Sequence, residues 1–340
     1  MKITHKSSMR LYRELLDNPP EAPDYPPKTS HRDSYKTENR NIVSVVRSDD
    51  RSTGILQALE LLGGLEPVSE GVDGEILIKP NCNTDDPYPR DTHHDTVRVI
   101  AQSLIDAGVE PRQIVVGDMS GRGRGLPTRV TMENLGIQHV ADELGLQVAY
   151  FEEEDWVMVI PDGSTAWPHG IRIPKRVYEA DRIILSPILR SHSTATFTVG
   201  MKLGVGLIDA MGREWLHNGE DFYRKMIEIN LAFQADIIVA DAMKMNTGPR
   251  TYPKDEVEPG IIIASNNIVS SDAASVALMK YYNTYRVKDI DIREHEQFTL
   301  ARELGLGSSD PDQMIIKSKD LAGDPIFNEI VRYIKTALGE

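Results

Sequence analysis

From residue 42 onward, short apolar runs alternate with helix-spaced repeats. Residues 42–46, 75–79, 113–117, 146–150, 157–160, 182–186, 236–240 and 260–264 have the length and apolar content of strands. Residues 52–62, 96–107, 220–233 and 271–282 place apolar side chains at helical spacing, and 289–304 and 325–338 add late helices. Strands joined through helices in this way are buried efficiently when they lie parallel in one sheet with helices on its faces. The expected fold is α/β: a mostly parallel sheet flanked by helices, with an inserted or appended second lobe. A polar, proline-rich arm is expected over 1–40, the main α/β domain over 41–285 and a helical elaboration of it over 286–340.

Composition narrows the functional classes. A formal net charge of −14 disfavours a nucleic-acid backbone or an anionic membrane as partner. The opening MKITHKSSMRLYRELL lacks the apolar core of a secretory signal, and no run approaches the ~20 apolar residues of a membrane span. Cys82 is the sole cysteine, so the chain cannot ligate an iron–sulfur cluster internally. A reducing, cytoplasmic setting fits that count. The proline-rich arm offers a surface for a homodimer.

Polar residues stand where the strands stop. In an open parallel sheet, ligands bind outside the carboxyl ends of the strands. Lys79, Asn81, Asp118, His192 and Asp241 each follow or end a strand and are expected on one rim. His93 and His94 precede a helix; His94, the nearer, suits an anion or a metal. His192 suits a metal or a proton, and His217 could fold back toward it. Lys202 stands nearly alone among apolar residues and glycines in FTVGMKLGVG, so it needs an acidic partner or ligand. The GRGRG at 121–125 brings Arg122 and Arg124 and could cradle an anion. It is neither a Walker motif nor a dinucleotide fingerprint, and GxSxG and HExxH are absent. Cys82 could serve as nucleophile or ligand, or pack beneath the pocket.

The blocks ILIKPNCN at 76–83, QIVVGDMSG at 113–121, ADRIILSPILRSH at 180–192, FTVGMKLGVGLI at 197–208 and ASNNIVSSDAASV at 264–276 together resemble the DUF362 family. The resemblance runs from about residue 43 to 282. It implies matched positions at Lys79, Pro80, Asn81, Gly117, Asp118 and Asp272, and a basic residue and histidine at Arg190 and His192. Leu203 stands where the family usually has asparagine after Lys202. The ferredoxin-type cysteines of some members are missing, so their electron-transfer role does not carry over. The arrangement is also similar to lactate racemase-like two-lobed proteins, which use histidines and lysines in a cleft with a nickel cofactor.

These readings converge on a metal-assisted enzyme acting on a small anionic molecule, for instance a lyase or isomerase of hydroxy or keto acids. Asp118, His94, His192, His217 and Asp241 would hold a divalent metal. Lys79, Asn81, Arg122, Arg124 and Arg190 would hold the substrate. Lys202 or His192 would transfer the proton. The same residues also suit a metal-free protein that binds a small anion without turnover, or a redox partner whose cofactor lies on another chain.

Overall fold

The computed structural model describes residues 4–28, 35, 37, 39–249 and 253–340. The expected arm is therefore seen in part, since 1–3, 29–34, 36 and 38 lie outside the described residues.

One large sheet organises the chain. Its strands pair in the order Met314–Asp320, Asn41–Arg47, Ile261–Ser265, Ile237–Asn246, Arg182–Ser186, Ile76–Pro80, Ile114–Asp118 and Gln147–Tyr150. All run the same way except Ile261–Ser265, which is antiparallel to both neighbours. Alternation along each strand divides the core in two. Ile76 and Ile78 pack with Ile55, Leu59, Val97 and Ile100 from helices Arg51–Leu62 and His94–Asp106. Leu77 and Val115 face the opposite layer, which contains Val269 and Val276 of helix Ile268–Tyr281 and Ile330 and Ile334 of helix Phe327–Leu338. The second lobe is a three-stranded sheet of Asp24–Tyr25, Trp156–Val159 and Ile171–Pro174. Its Trp156, Val157, Ile171 and Ile173 are continuous with the second core layer.

Several elements differ from the sequence expectation. Helix His5–Asp17 opens the expected arm; a Thr4–Ser7 capping box starts it and Tyr12 is buried. Ile188–His192 is a strand, pairing with Thr196–Thr198 in a hairpin. Ile237–Asn246 runs beyond 236–240 and carries Asp241 in its interior. Met314–Asp320 supplies an edge strand inside the tail expected to be helical. Its alternation is weak, and Lys317 and Lys319 suit an edge. Among the described residues, no helix is long and apolar enough to cross a membrane.

Chain order reverses between Ile76–Pro80 and Arg182–Ser186. The strands after Ile76–Pro80 extend the sheet to one side, and the chain then returns to the other side. Such a reversal opens a crevice at the carboxyl ends of the two strands.

Candidate functional site

A cavity of about 260 Å³ occupies that end of the sheet, a size at the small end of ligand sites. Lys79, Arg122, Arg190, Lys202 and Arg213 line it, and Asp118 is the sole carboxylate among its lining residues. Asn81, Thr198, His192 and His217 complete much of its polar wall.

Asp118 is already occupied. It accepts from Lys79 Nζ at 2.8 Å, from the Cys82 N–H at 2.8 Å and from the Met119 N–H at 2.8 Å. Both charged side chains are almost wholly buried. Asp118 therefore neutralises Lys79 rather than Lys202. Gly206 makes room for the pair, since a Cβ there would lie 2.6 Å from Lys79 Nζ. Cys82 packs in the core beneath, and burial followed by Asp118 pushes its thiol well up. A protonated, buried thiol is a poor nucleophile and a poor ligand.

Lys202, half-buried on the cavity wall, differs from the fully buried lysines. Lys79 and Lys225 donate to carboxylate or carbonyl oxygens. No carboxylate among the described residues pairs with Lys202, and the charges around it are the cations Arg190, Arg213 and Lys79. Burial first, and those cations next, lower its pKa to about 7. Its backbone is fixed from behind. Buried Asp272 accepts from the N–H groups of Gly200 at 2.8 Å and Met201 at 2.9 Å, at the start of the helical turn Gly200–Leu203.

The sign of the Lys202 shift fixes a stability trend. An unfolded lysine titrates near 10.4. Below pH 7 both states are protonated, and the cost of burying the charge is fully present. Between about pH 7 and 10 the unfolded chain holds a proton that the native chain has released, so native stability rises with pH. In denaturant titrations across that window, the wild-type chain should gain stability relative to Lys202→Met. Parallel pH profiles would contradict this.

His192 lines the cavity, with one ring nitrogen already engaged. Its Nδ1 accepts from the N–H groups of Thr194 at 3.2 Å and Ala195 at 3.0 Å. The neutral ring then carries its proton on Nε2 and presents a donor to the cavity. Burial, Lys202 and Arg190 push its pKa down to about 2, so it does not take up a proton at neutral pH. His217 lies on the same wall at the end of helix Ala210–His217, lowered by burial and by Lys202.

Two expected site residues are elsewhere. Asp241 accepts from Arg51 Nε at 2.9 Å, Tyr88 Oη at 2.7 Å, Thr96 Oγ1 at 2.6 Å and the Met243 N–H at 3.0 Å. These four donors fill a carboxylate's acceptor positions, so Asp241 is structural. Arg124 pairs with Asp86 and is not on the cavity wall. Arg122 does line the cavity, bonded to Glu214 at 2.6 Å. The Gly121 and Gly125 N–H groups donate to Asn83 O and Gly121 O, so those two amides are not free to cradle an anion. Gly121 and Gly125 instead permit close approach to Asn83.

His94 lines a second cavity, of about 560 Å³, which shares no lining residue with the first. His93, His94 and Asp95 can each offer one ligand atom, all within 4.8 Å of one another. They are the sole such group of three among the described residues. The five expected metal ligands are thus not brought together. His93 also caps the helix, its Nδ1 accepting from the Asp95 N–H at 3.1 Å, and stacks on His94 with centroids 4.3 Å apart.

Arg213 and Tyr12 are among the cavity residues that escaped the sequence reading. Arg213 donates to Ser120 O at 2.5 Å and Met119 O at 2.6 Å. The spacing of Ala210, Arg213 and Leu216 on one helix face was the available signal. Tyr12 reaches the wall from the N-terminal helix and donates to Ala210 O and Glu214.

The fold and this cleft define an α/β protein with a buried cationic site at a sheet switch point. Residues 76–277 match the family described as Domain of unknown function (DUF362), and the chain belongs to that family. It is similar to the thylakoid-associated protein sll1697 of Synechocystis, with 28% identity over 242 residues, covering 68% of this chain and 72% of that protein. Among solved structures, the lactate racemase apoprotein from Thermoanaerobacterium thermosaccharolyticum aligns with a TM-score of 0.42 at 15% identity. That alignment covers 64% of this chain and about half, 53%, of the racemase chain.

Proposed function

We propose that the first cavity binds a small organic anion and that Lys202 exchanges a proton with it. The carrying observation is Lys202, which lines the cavity and has no acidic partner among the described residues. A carboxylate or phosphate would supply the missing negative charge. Arg190 would grip it, since its Nε is buried without a hydrogen-bond partner. A pKa near neutrality suits general acid–base work. The His192 Nε2–H would donate to the ligand. This reading favours a lyase or isomerase of hydroxy or keto acids, with Lys79 and Asp118 holding the floor of the site.

Thermal unfolding against lactate, malate, pyruvate and inorganic phosphate tests it. At least one should raise the wild-type midpoint, and the rise should disappear in Lys202→Met. No response to any of the four in the wild type would remove the proposal.

A metal site separate from this anion site would rest on His93, His94 and Asp95. The metal would then occupy the second cavity rather than touch Lys202. Elemental analysis of wild type and His94→Ala decides it: a stoichiometric metal lost in the variant supports the role, and equal metal content removes it.

A further inference from the structure

We propose that Lys202 condenses with a 2-oxo acid, forming an iminium at the ketone carbon while Arg190 pairs with the adjacent carboxylate. This deepens the anion-site reading and rests on it.

A buried lysine that serves only the fold finds oxygen acceptors, because an unpaired ammonium is costly to desolvate. Lys79 and Lys225 do so. Lys202 makes no such contact among the described residues, yet its side chain reaches the cavity wall. Its main chain is pinned by the Asp272 carboxylate, so the amine is offered from a fixed base. Surrounding cations favour the neutral amine, the form that attacks a carbonyl. Hence the features that make Lys202 a poor structural lysine make it a good nucleophile.

The rest of the wall selects the partner. A ketone alone would leave the Arg190 Nε without a hydrogen-bond partner; a 2-oxo acid carries a carboxylate one bond from the carbonyl. Two donors remain for the carbonyl oxygen: the His192 Nε2–H, and the Thr198 hydroxyl, buried without a partner on the same wall. Thr198 lies opposite Arg190 in the hairpin register, so one short motif presents the guanidinium, the hydroxyl and the imidazole together.

The step balances without an external oxidant or reductant. The amine nitrogen bonds to the carbonyl carbon, giving a carbinolamine, and the carbon–oxygen bond then breaks. In net terms an ammonium and a ketone give a protonated iminium and water, the departing oxygen taking two of the three nitrogen-bound protons.

The test uses the full chain. It is incubated at neutral pH with pyruvate, or separately with 2-oxoglutarate, and treated with sodium borohydride, whose hydride converts an iminium to a stable secondary amine. Intact-mass analysis and peptide mapping then locate the adduct. The expected result is a single adduct on Lys202 with at least one of the two acids, suppressed by excess lactate, which lacks the carbonyl, and lost in Lys202→Met. Mapping on the wild-type chain gives the result even if the variant fails to fold. If Lys202 stays unmodified while either acid still raises the unfolding midpoint, the covalent step is wrong and the anion site stands. Modification scattered over surface lysines also overturns the proposal. Neither adduct nor midpoint shift with either acid overturns the covalent step and removes 2-oxo acids as ligands; binding of lactate, malate or phosphate then decides the anion site separately.

Discussion

Asp118→Asn should destabilise the chain by about 3–5 kcal/mol, the usual cost of breaking a buried ion pair from one side. The substitution leaves the Lys79 ammonium buried beside the Pro80 carbonyl, 3.1 Å away, and a neutral amide in place of its counter-charge. It also weakens the acceptor that holds the Cys82 and Met119 N–H groups. Such a loss is a large share of the ~5–15 kcal/mol that holds most native chains together. Urea or guanidinium midpoints would measure it. Adding Lys79→Met should recover part of the loss, because the buried charge goes with the side chain, and the double-mutant cycle isolates the pair. A single variant as stable as wild type would show that the pair contributes little.

Arg190→Met should weaken binding of a small carboxylate roughly 10- to 150-fold, the equivalent of about 1.5–3 kcal/mol for a charge-assisted hydrogen bond. Calorimetric titration with whichever acid raises the unfolding midpoint measures this. A second readout separates a binding role from damage to the hairpin. Arg190 is the foremost of the cations depressing Lys202, so its removal should move the Lys202 pKa upward from about 7. The pH-dependent stability gain would then begin at higher pH in the variant. Weaker binding with an unmoved pH profile would assign Arg190 to packing rather than to the electrostatics of the site.

The site was legible in part, and its pattern explains the rest. Lys79, Asn81, Asp118, Arg190, His192, Lys202 and His217 line one cavity where strands end and chain order reverses, with Lys202 and His217 brought there by helices. Asp241 failed because it lies within a strand. Its parity matches Ile237 and Val239, which face the layer containing helices Arg51–Leu62 and His94–Asp106. Side chains alternate across a strand, so Asp241 meets Arg51 and Thr96 on that face, whereas Lys79 shares the parity of Leu77 and faces the other. Parity alone did not record this, since Asp118 shares the parity of Ile114 and Val116 in that same layer yet lines the cavity; the run of the strand beyond residue 240 decided it.

What the sequence determined by itself was local and periodic. Apolar runs of strand length, helix-spaced repeats and polar residues at strand ends follow from how each backbone conformation turns its side chains, and these specify an α/β sheet with a polar rim. The single cysteine likewise settles that no cluster is ligated internally. What tertiary structure alone decided was partnership. Lys79 and Asp118 are separated by 39 positions, and Tyr88 and Asp241 by 153. Parallel crossovers bring such residues together without any local pattern that records it. Whether a buried charge meets an opposite charge in the protein or waits for one from a ligand depends on that assembly, and here it separates Lys79 from Lys202.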